Sequence, residues 1–275
     1  MSSRVQALII ASHPGPSLAI TGMATLLAAQ AAPHGVGPVL VAPAMLAGQF
    51  SVGWSNDACD ARRDAAAGRA DKPIATGAIS VRAVWIAAFA GVVAALAMSL
   101  AIGVATLIIN AIIIGAAWAY NLGLKSTLAS GLMYIAGFGP IPAYATSTLP
   151  GHPLPRWYVT AAAAAVGLGA HFANVLPDLA SDRVTGVGGL PQRVAARWGP
   201  LAVRAVALTL LLAASVLLLA ASSGSRRWVA IVGLCAAILL AVVGARGKGK
   251  VPFWAAICIA AVDVVLFAAG GDALT

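Results

Sequence analysis

Apolar residues in this chain come in long runs, not in alternation. Nine runs, near 15–32, 36–54, 79–99, 101–120, 129–147, 157–177, 200–222, 227–245 and 252–270, are separated by short polar stretches. About 20 apolar residues in helical form cross the hydrocarbon core of a bilayer. The pattern therefore predicts an all-α integral membrane protein, a bundle of nine transmembrane helices. Within 79–120 the division rests on Ser99, Gly103 and Asn110. Leu18 to Ala29, followed by Ala29-Gln30-Ala31, has the form of a signal peptide with a small-residue cleavage site. With Arg4 alone before it and Gly15-Pro16 interrupting the approach, this first run reads as a retained helix.

Composition excludes a soluble domain. Of 275 residues, 61% are hydrophobic and 9% charged, against about 25% charged in ordinary soluble domains. Cys59, Cys235 and Cys258 are too scattered for a zinc site or a disulfide framework and read as free thiols. The net charge of +9 raises nucleic acid as a partner, but its distribution argues for membrane orientation. Of 17 Lys and Arg residues, only Arg156, Arg226 and Arg227 fall in loops on one side. By the positive-inside rule, the other side is cytoplasmic, and it holds the N-terminus and both clusters of acidic residues.

All eight acidic residues are aspartates, and six of them cluster in two places: Asp57, Asp60, Asp64, Asp178 and Asp182 fall in two windows, with Asp71 just after the first. The first, Asn56-Asp57-Ala58-Cys59-Asp60-Ala61-Arg62-Arg63-Asp64, and the second, Asn174-Val175-Leu176-Pro177-Asp178-Leu179-Ala180-Ser181-Asp182, share the form N-x-x-x-D-x-x-x-D. Steps of four put Asn56, Asp60 and Asp64 on one helical face, and likewise Asn174, Asp178 and Asp182. Each window ends an apolar run and leads into a basic loop with glycine and proline, which predicts two pseudo-repeats, about 1–128 and 129–275, within a single domain. Converging carboxylates repel one another unless cations neutralise them. An all-oxygen donor set suits a hard cation such as Mg²⁺, which is commonly shared between carboxylates and substrate phosphates. Arg63, Arg69, Lys72, Lys125, Arg183 and Arg193 lie near enough in sequence to supply charge for phosphate oxygens. Solvated helix ends that merely mark topology explain one window well and two matched windows poorly.

These residues carry a resemblance. Asn56 through Lys72-Pro73-Ile74-Ala75-Thr76-Gly77-Ala78-Ile79-Ser80 resembles the first signature of the UbiA-type intramembrane prenyltransferase superfamily, and Asp178-x-x-x-Asp182-Arg183 resembles the second. Tyr120-Asn121-Leu122-Gly123-Leu124-Lys125 is similar to the segment between them. The resemblance covers nearly the whole chain and implies a helical bundle whose central cavity, capped by cytoplasmic loops, binds a prenyl diphosphate through two Mg²⁺ ions, with the tail in an apolar tunnel open to lipid. It implies a metal shell of Asn56, Asp60, Asp64, Asn174, Asp178 and Asp182. Arg69, Lys72, Lys125 and Arg183 are then the diphosphate-binding residues, with Tyr120 at the reacting end. Asp57, about 100° off the stripe, reads as a supporting or capping residue. The chain departs from the family in having His13-Pro14 and Lys72-Pro73 where Arg-Pro is usual, and lysine lacks the bidentate fork of arginine. The Pro-Ile-x-x-Gly-x-Ile-Ser continuation is closer to the chlorophyll-synthase and archaeal ether-lipid branches.

Other residues are less decisive. Phe50, Trp54, Tyr134, Phe138, Tyr144 and Phe172 are candidates to face a carbocation, most of them better read as packing. Gly137-Phe138-Gly139-Pro140-Ile141-Pro142 is expected to break a span and line the chamber, since irregular backbone at membrane depth must face protein or a cavity. His13, His34, His152 and His171 lack metal-ligand spacing, and Asp263, inside the last run, is paired in this reading with Asn110. The leading expectation is transfer of a prenyl group to a lipophilic acceptor, aromatic or a quinone precursor. A membrane terpene cyclase that uses the same site without an acceptor is the alternative, and a lipid-phosphate transporter or scaffold is the non-enzymatic one. Expected partners are prenyl diphosphate, the acceptor and membrane lipid, with no nucleic acid.

Overall fold

The structure, a computed structural model, describes residues 3–32, 37–179, 182, 186–224, 226–269 and 274. It is all-α, with no strand among the described residues. The helices are α1 (Ser3–Ala11), α2 (Pro14–Ala31), α3 (Gly37–Ala66), α4 (Val81–Ile102), α5 (Val104–Asn121), α6 (Ser130–Phe138) and α7 (Ile141–Thr146). They continue as α8 (Trp157–Val175), α9 (Leu190–Trp198), α10 (Pro200–Ala221), α11 (Arg226–Arg246) and α12 (Val251–Ala269), with a 3-10 turn at Leu124–Ser126.

Each apolar run is helical, and the nine runs together with the segments between them are built from more than nine helices. Among the described residues there are twelve α-helical segments. The fifth run is broken into α6 and α7 at Gly139-Pro140, where proline removes a backbone donor. The polar segments add α1 and α9. Five helices, α4, α5, α8, α10 and α11, are long and apolar enough by themselves to cross a membrane. The split inside 79–120 falls on Gly103 alone, and Asn110 Nδ2 ties α5 back to α4 by donating to Ser99 Oγ at 2.8 Å.

The helices pack in chain order around a ring. α2 lies on α3, α3 on α4, α4 on α5, α5 on α6, α6 on α8, α8 on α10, α10 on α11 and α11 on α12, and α12 returns to α2. Small residues permit the close crossings, as membrane helices require. A Cβ at Gly91 of α4 would stand 3.0 Å from the Ala47 carbonyl oxygen of α3. The ring buries Leu27, Met45, Ile113, Tyr144, Leu211 and Ile259. Its outer face exposes Ile86, Phe89, Val93, Ile108, Val232 and Leu239, an apolar surface suited to lipid and far larger than water-facing proteins carry. The protein is thus a multi-pass membrane protein.

Helix α3 matters most for position. Its apolar run continues as helix through the first aspartate window, because no glycine or proline intervenes before Gly68, which takes φ 64° just past the helix end. Window and span are therefore one rigid rod. In the second window Pro177 stops this: α8 ends at Val175, and Leu176 to Asp178 form a turn. The expected single helical face for Asn174, Asp178 and Asp182 is interrupted by this turn, and beyond it Leu179 and Asp182 are helical again, the Asp182 amide donating to the Asp178 carbonyl at 2.8 Å.

Candidate functional site

Both windows face one cavity of about 590 Å³ inside the ring. From α3 it is lined by Asn56, Asp60 and Asp64, and from the α8 side by Asn174, Asp178 and Asp182. Arg69, Lys72 and Lys125 reach the same space, as does Tyr120. Every residue of the expected site therefore lines one cavity except Arg183, which lies outside the described residues. The same cavity also has apolar lining, with Ile20, Ile113, Met133, Phe138 and Phe253. Gly137 and Phe138 do line the chamber as expected, whereas Ile141 and Pro142 are buried in the bundle.

The α3 wall is saturated with ion pairs. Asp60 accepts a hydrogen bond from Arg63 at 2.8 Å and another from Lys125. Asn56 Nδ2 donates to Asn121 Oδ1 at 3.1 Å, and Asn121 in turn donates to Ser55 Oγ at 2.8 Å and the Val52 carbonyl at 3.0 Å. On the α8 side, Asn174 and Asp178 are exposed, and Gln192 of α9 donates to Asp182 Oδ2 at 2.7 Å. Burial pushes the Asp64 carboxyl up, assisted by Asp60, and burial pushes Asp182 up, assisted by Asp178. On the rim, Arg69 forms a bidentate pair with Asp71 at 2.7 and 2.8 Å, which holds the Asp71 carboxyl down at about 2 and raises the guanidinium.

Aromatic groups form the floor beneath the charged mouth. Tyr134 stacks on His171 at 4.3 Å and meets Tyr120 edge-on at 5.2 Å. His171 is buried behind this wall and shares a hydrogen bond with Ser130 Oγ at 3.0 Å. Of the six aromatic candidates, Tyr134 and Phe138 line the cavity, while Tyr144 and Phe172 are core residues. Asp263 does not pair with Asn110. It accepts from Ser215 Oγ at 2.5 Å between α10 and α12, because Asn110 is already turned toward Ser99.

Sequence reading undervalued one cluster. Asp57, 2% exposed, accepts from Lys72 Nζ at 2.6 Å and bonds His13 Nε2 at 2.7 Å. Burial alone would raise its carboxyl, but the bonds from His13 and Lys72 outweigh burial and hold it below the ordinary carboxylate range. The available signal was the adjacency of Asp57 to Asn56; the partner His13 is 44 residues away and joins it only through folding. Gln192 and Asn121 were missed for the same reason.

The donor set fits a hard divalent cation in its chemistry: four carboxylates and two amides on facing walls, with two of the carboxyls raised by burial and, less, by their neighbours Asp60 and Asp178. Among the described residues no three acidic, His or Cys groups stand close enough to hold an ion as they are, since lysine and arginine occupy Asp60.

A sequence model of the UbiA prenyltransferase family matches residues 17–270. Among solved structures, the apo structure of a UbiA homolog from Aeropyrum pernix K1 is similar with a TM-score of 0.75, at 19% identity over 92% of this chain and 96% of that one. A UbiA homolog from Archaeoglobus fulgidus bound to GPP and Mg²⁺ gives 0.73, at 14% identity over 95% and 98%. A structure of digeranylgeranylglyceryl phosphate synthase gives 0.71, at 13% identity over 98% of each chain. No curated protein matches in sequence. At these identities the structural likeness speaks to the fold.

Proposed function

The chain belongs to the UbiA prenyltransferase family, and from that premise we propose that it transfers a prenyl group from a prenyl diphosphate to a lipophilic acceptor within the membrane, its charged mouth facing the cytoplasm. The observation that carries this reading is the single cavity that joins two aspartate walls and three basic side chains to an apolar, aromatic floor. A homolog of the same fold bound to GPP and Mg²⁺ supports it.

Asn56, Asp60 and Asp64 on one side and Asn174, Asp178 and Asp182 on the other would hold two Mg²⁺ ions, which when bound supply positive charge against the departing diphosphate. Lys125, Lys72 and Arg69 are sited to take the remaining phosphate oxygens, arginine in bidentate fashion. The allylic cation left behind lies against Tyr134 and Phe138, whose faces stabilise positive charge by about 0.5–2 kcal/mol each. Ile113, Met133 and Phe253 keep water from quenching it before the acceptor does.

Lipid-reconstituted protein with geranyl, farnesyl and geranylgeranyl diphosphates tests this reading. Diphosphate release is expected only when a phenol or quinol acceptor is added, and chelation with EDTA is expected to abolish it. A cyclic hydrocarbon or alcohol formed without acceptor would replace this reading with a terpene cyclase.

A further inference from the structure

The corner between α1 and α2 is built more firmly than a connection requires. Ser12 sits against α3 at Gly53, where an added Cβ would stand 2.3 Å from the Ser12 carbonyl oxygen. Ser12 Oγ donates to the Ile9 carbonyl at 2.8 Å, Ser17 Oγ to the Ser12 carbonyl at 2.9 Å, and Trp54 Nε1 to the Leu8 carbonyl at 2.9 Å. On this platform His13 takes φ 52° and ψ 62°. That left-handed conformation is costly for a residue with a side chain, and the following Pro14 makes it costlier. Strain of this kind persists where surrounding structure enforces it, and it gathers at working sites.

His13 does not use the position to cap α2, since its side chain makes no capping bond. Its ring instead reaches Asp57, one helical turn beyond Gly53 on α3, with Nε2 2.7 Å from Oδ1. Lys72 donates to the same oxygen at 2.6 Å, so Oδ1 accepts from both neighbours and the proton in the short contact belongs to Nε2. In the neutral ring Nδ1 then carries the lone pair. Lys72 Nζ, 3.3 Å from Nε2, faces an N–H and is a neighbour only. The imidazole side chain is 36% exposed and lines the cavity, as do Ser17 and Ile20 of α2 and Gln49 of α3. A buried carboxylate that holds one ring nitrogen of a histidine on the wall of a reaction chamber is the arrangement of a general base.

Prenyl transfer to an O–H acceptor releases one proton. The diphosphate leaves with the electron pair of the C–O bond, the acceptor oxygen gives an electron pair to the prenyl carbon, and the O–H bond breaks. An apolar chamber offers that proton few destinations, and the aspartates of both walls are committed to cations in the reading above. Resting on that reading, we propose that His13 is the catalytic base that takes the acceptor proton at Nδ1, that Asp57 positions its ring, and that the acceptor is a phenol or alcohol entering along α2.

Two variants test this in full-length, lipid-reconstituted protein with geranyl diphosphate, Mg²⁺ and a panel of phenols and alcohols that includes 4-hydroxybenzoate. His13→Gly relieves the left-handed strain and is expected to fold; His13→Gln keeps a donor for Asp57 without a basic nitrogen. Both are expected to bind geranyl diphosphate within about twofold of wild type and to lose transfer by about 10²–10⁴-fold, the usual worth of a general base. Added imidazole is expected to restore transfer to His13→Gly at least tenfold and to leave His13→Gln unchanged. The proposal is overturned if transfer survives, if imidazole restores nothing, or if diphosphate binding falls in step with transfer, which would make His13 a prop for Lys72. Failure of the underlying reading is visible separately, as wild-type protein that binds no geranyl diphosphate or transfers to no O–H acceptor, and it removes the proposal as well.

Discussion

The two aspartate walls are spelled alike and built differently. On α3 the motif continues an unbroken helix, and Asp60 and Asp64 are 9% and 5% exposed. Arg63 and Lys125 already answer the charge of Asp60. On the opposite side the helix stops before Pro177, Asn174 and Asp178 are exposed, and Asp182 is held by the neutral Gln192. Spacing alone decides which oxygens face the cavity. What surrounds each wall differs: on α3 Arg63 and Lys125 bond Asp60 directly, whereas Asp182 feels the same two cations at longer range and is hydrogen-bonded by Gln192.

The largest effect that tests this contrast is loss of turnover without equal loss of stability. Asp60→Ala and Asp178→Ala are both expected to reduce prenyl transfer by about 10²–10³-fold, the scale of removing one preorganised electrostatic group. Only Asp60→Ala leaves Lys125, with its side chain 14% exposed, without its carboxylate. Relief of repulsion on Asp64 offsets part of that loss. A net cost of about 1–2 kcal/mol follows, read as a lower melting temperature in detergent, with a smaller shift in Asp178→Ala because Asp178 is exposed. Equal melting shifts would mean that the two walls are energetically alike and would break the comparison.

A second contrast lies three residues before each motif, where α3 has Gly53 and α8 has His171. The first is empty of side chain so that the Ser12 corner can dock; the second fills its space with a ring stacked on Tyr134. Gly53→Ala puts a methyl group into a backbone carbonyl, not a flexible side chain, so the corner must shift. The expected cost is about 1–3 kcal/mol, as for other overpacked contacts. It should appear as a melting shift and as loss of the protection of the Ser12 and Trp54 environments in hydrogen exchange and tryptophan fluorescence. Wild-type melting would mean that the corner is not seated as described.

How much of this was legible in the sequence follows from the range of each interaction. The apolar runs and the two motifs are local patterns, so the membrane class, the position of nearly every helix and all the aspartate-wall residues could be read directly. Pro177 was visible too, but its consequence was overridden by the regular four-residue step, which runs in sequence straight through the turn that interrupts the helix. The break at Gly139-Pro140 was legible because two backbone signals coincide there. What could not be read were partners chosen by folding. His13 with Asp57, Gln192 with Asp182, and Ser215 with Asp263 join residues with no spacing rule between them. Asp263 was assigned to Asn110 because both are polar groups in apolar runs, a criterion that carries no information about which helices touch.

The smallest effect concerns the rim, where the first half carries an ion pair that is not part of either wall. Arg69 and Asp71 are exposed, with side chains 47% and 62% accessible, so solvent screens their attraction and stability should change by less than about 0.5 kcal/mol in Asp71→Ala. The sign with pH is fixed: the folded-state carboxyl is depressed to about 2, so what the pair does contribute is fully present above the ordinary carboxylate range near 4 and is lost as pH falls through about 2. Its other consequence is orientation, because the bidentate bond fixes a guanidinium that lines the cavity. Asp71→Ala is therefore expected to weaken prenyl diphosphate binding by about two- to threefold at neutral pH while leaving melting unchanged, the reverse of what Gly53→Ala does. A tenfold change in affinity would place Asp71 among the working residues of the mouth, and a melting shift above about 2 °C would mean that the rim supports the α3 wall after all.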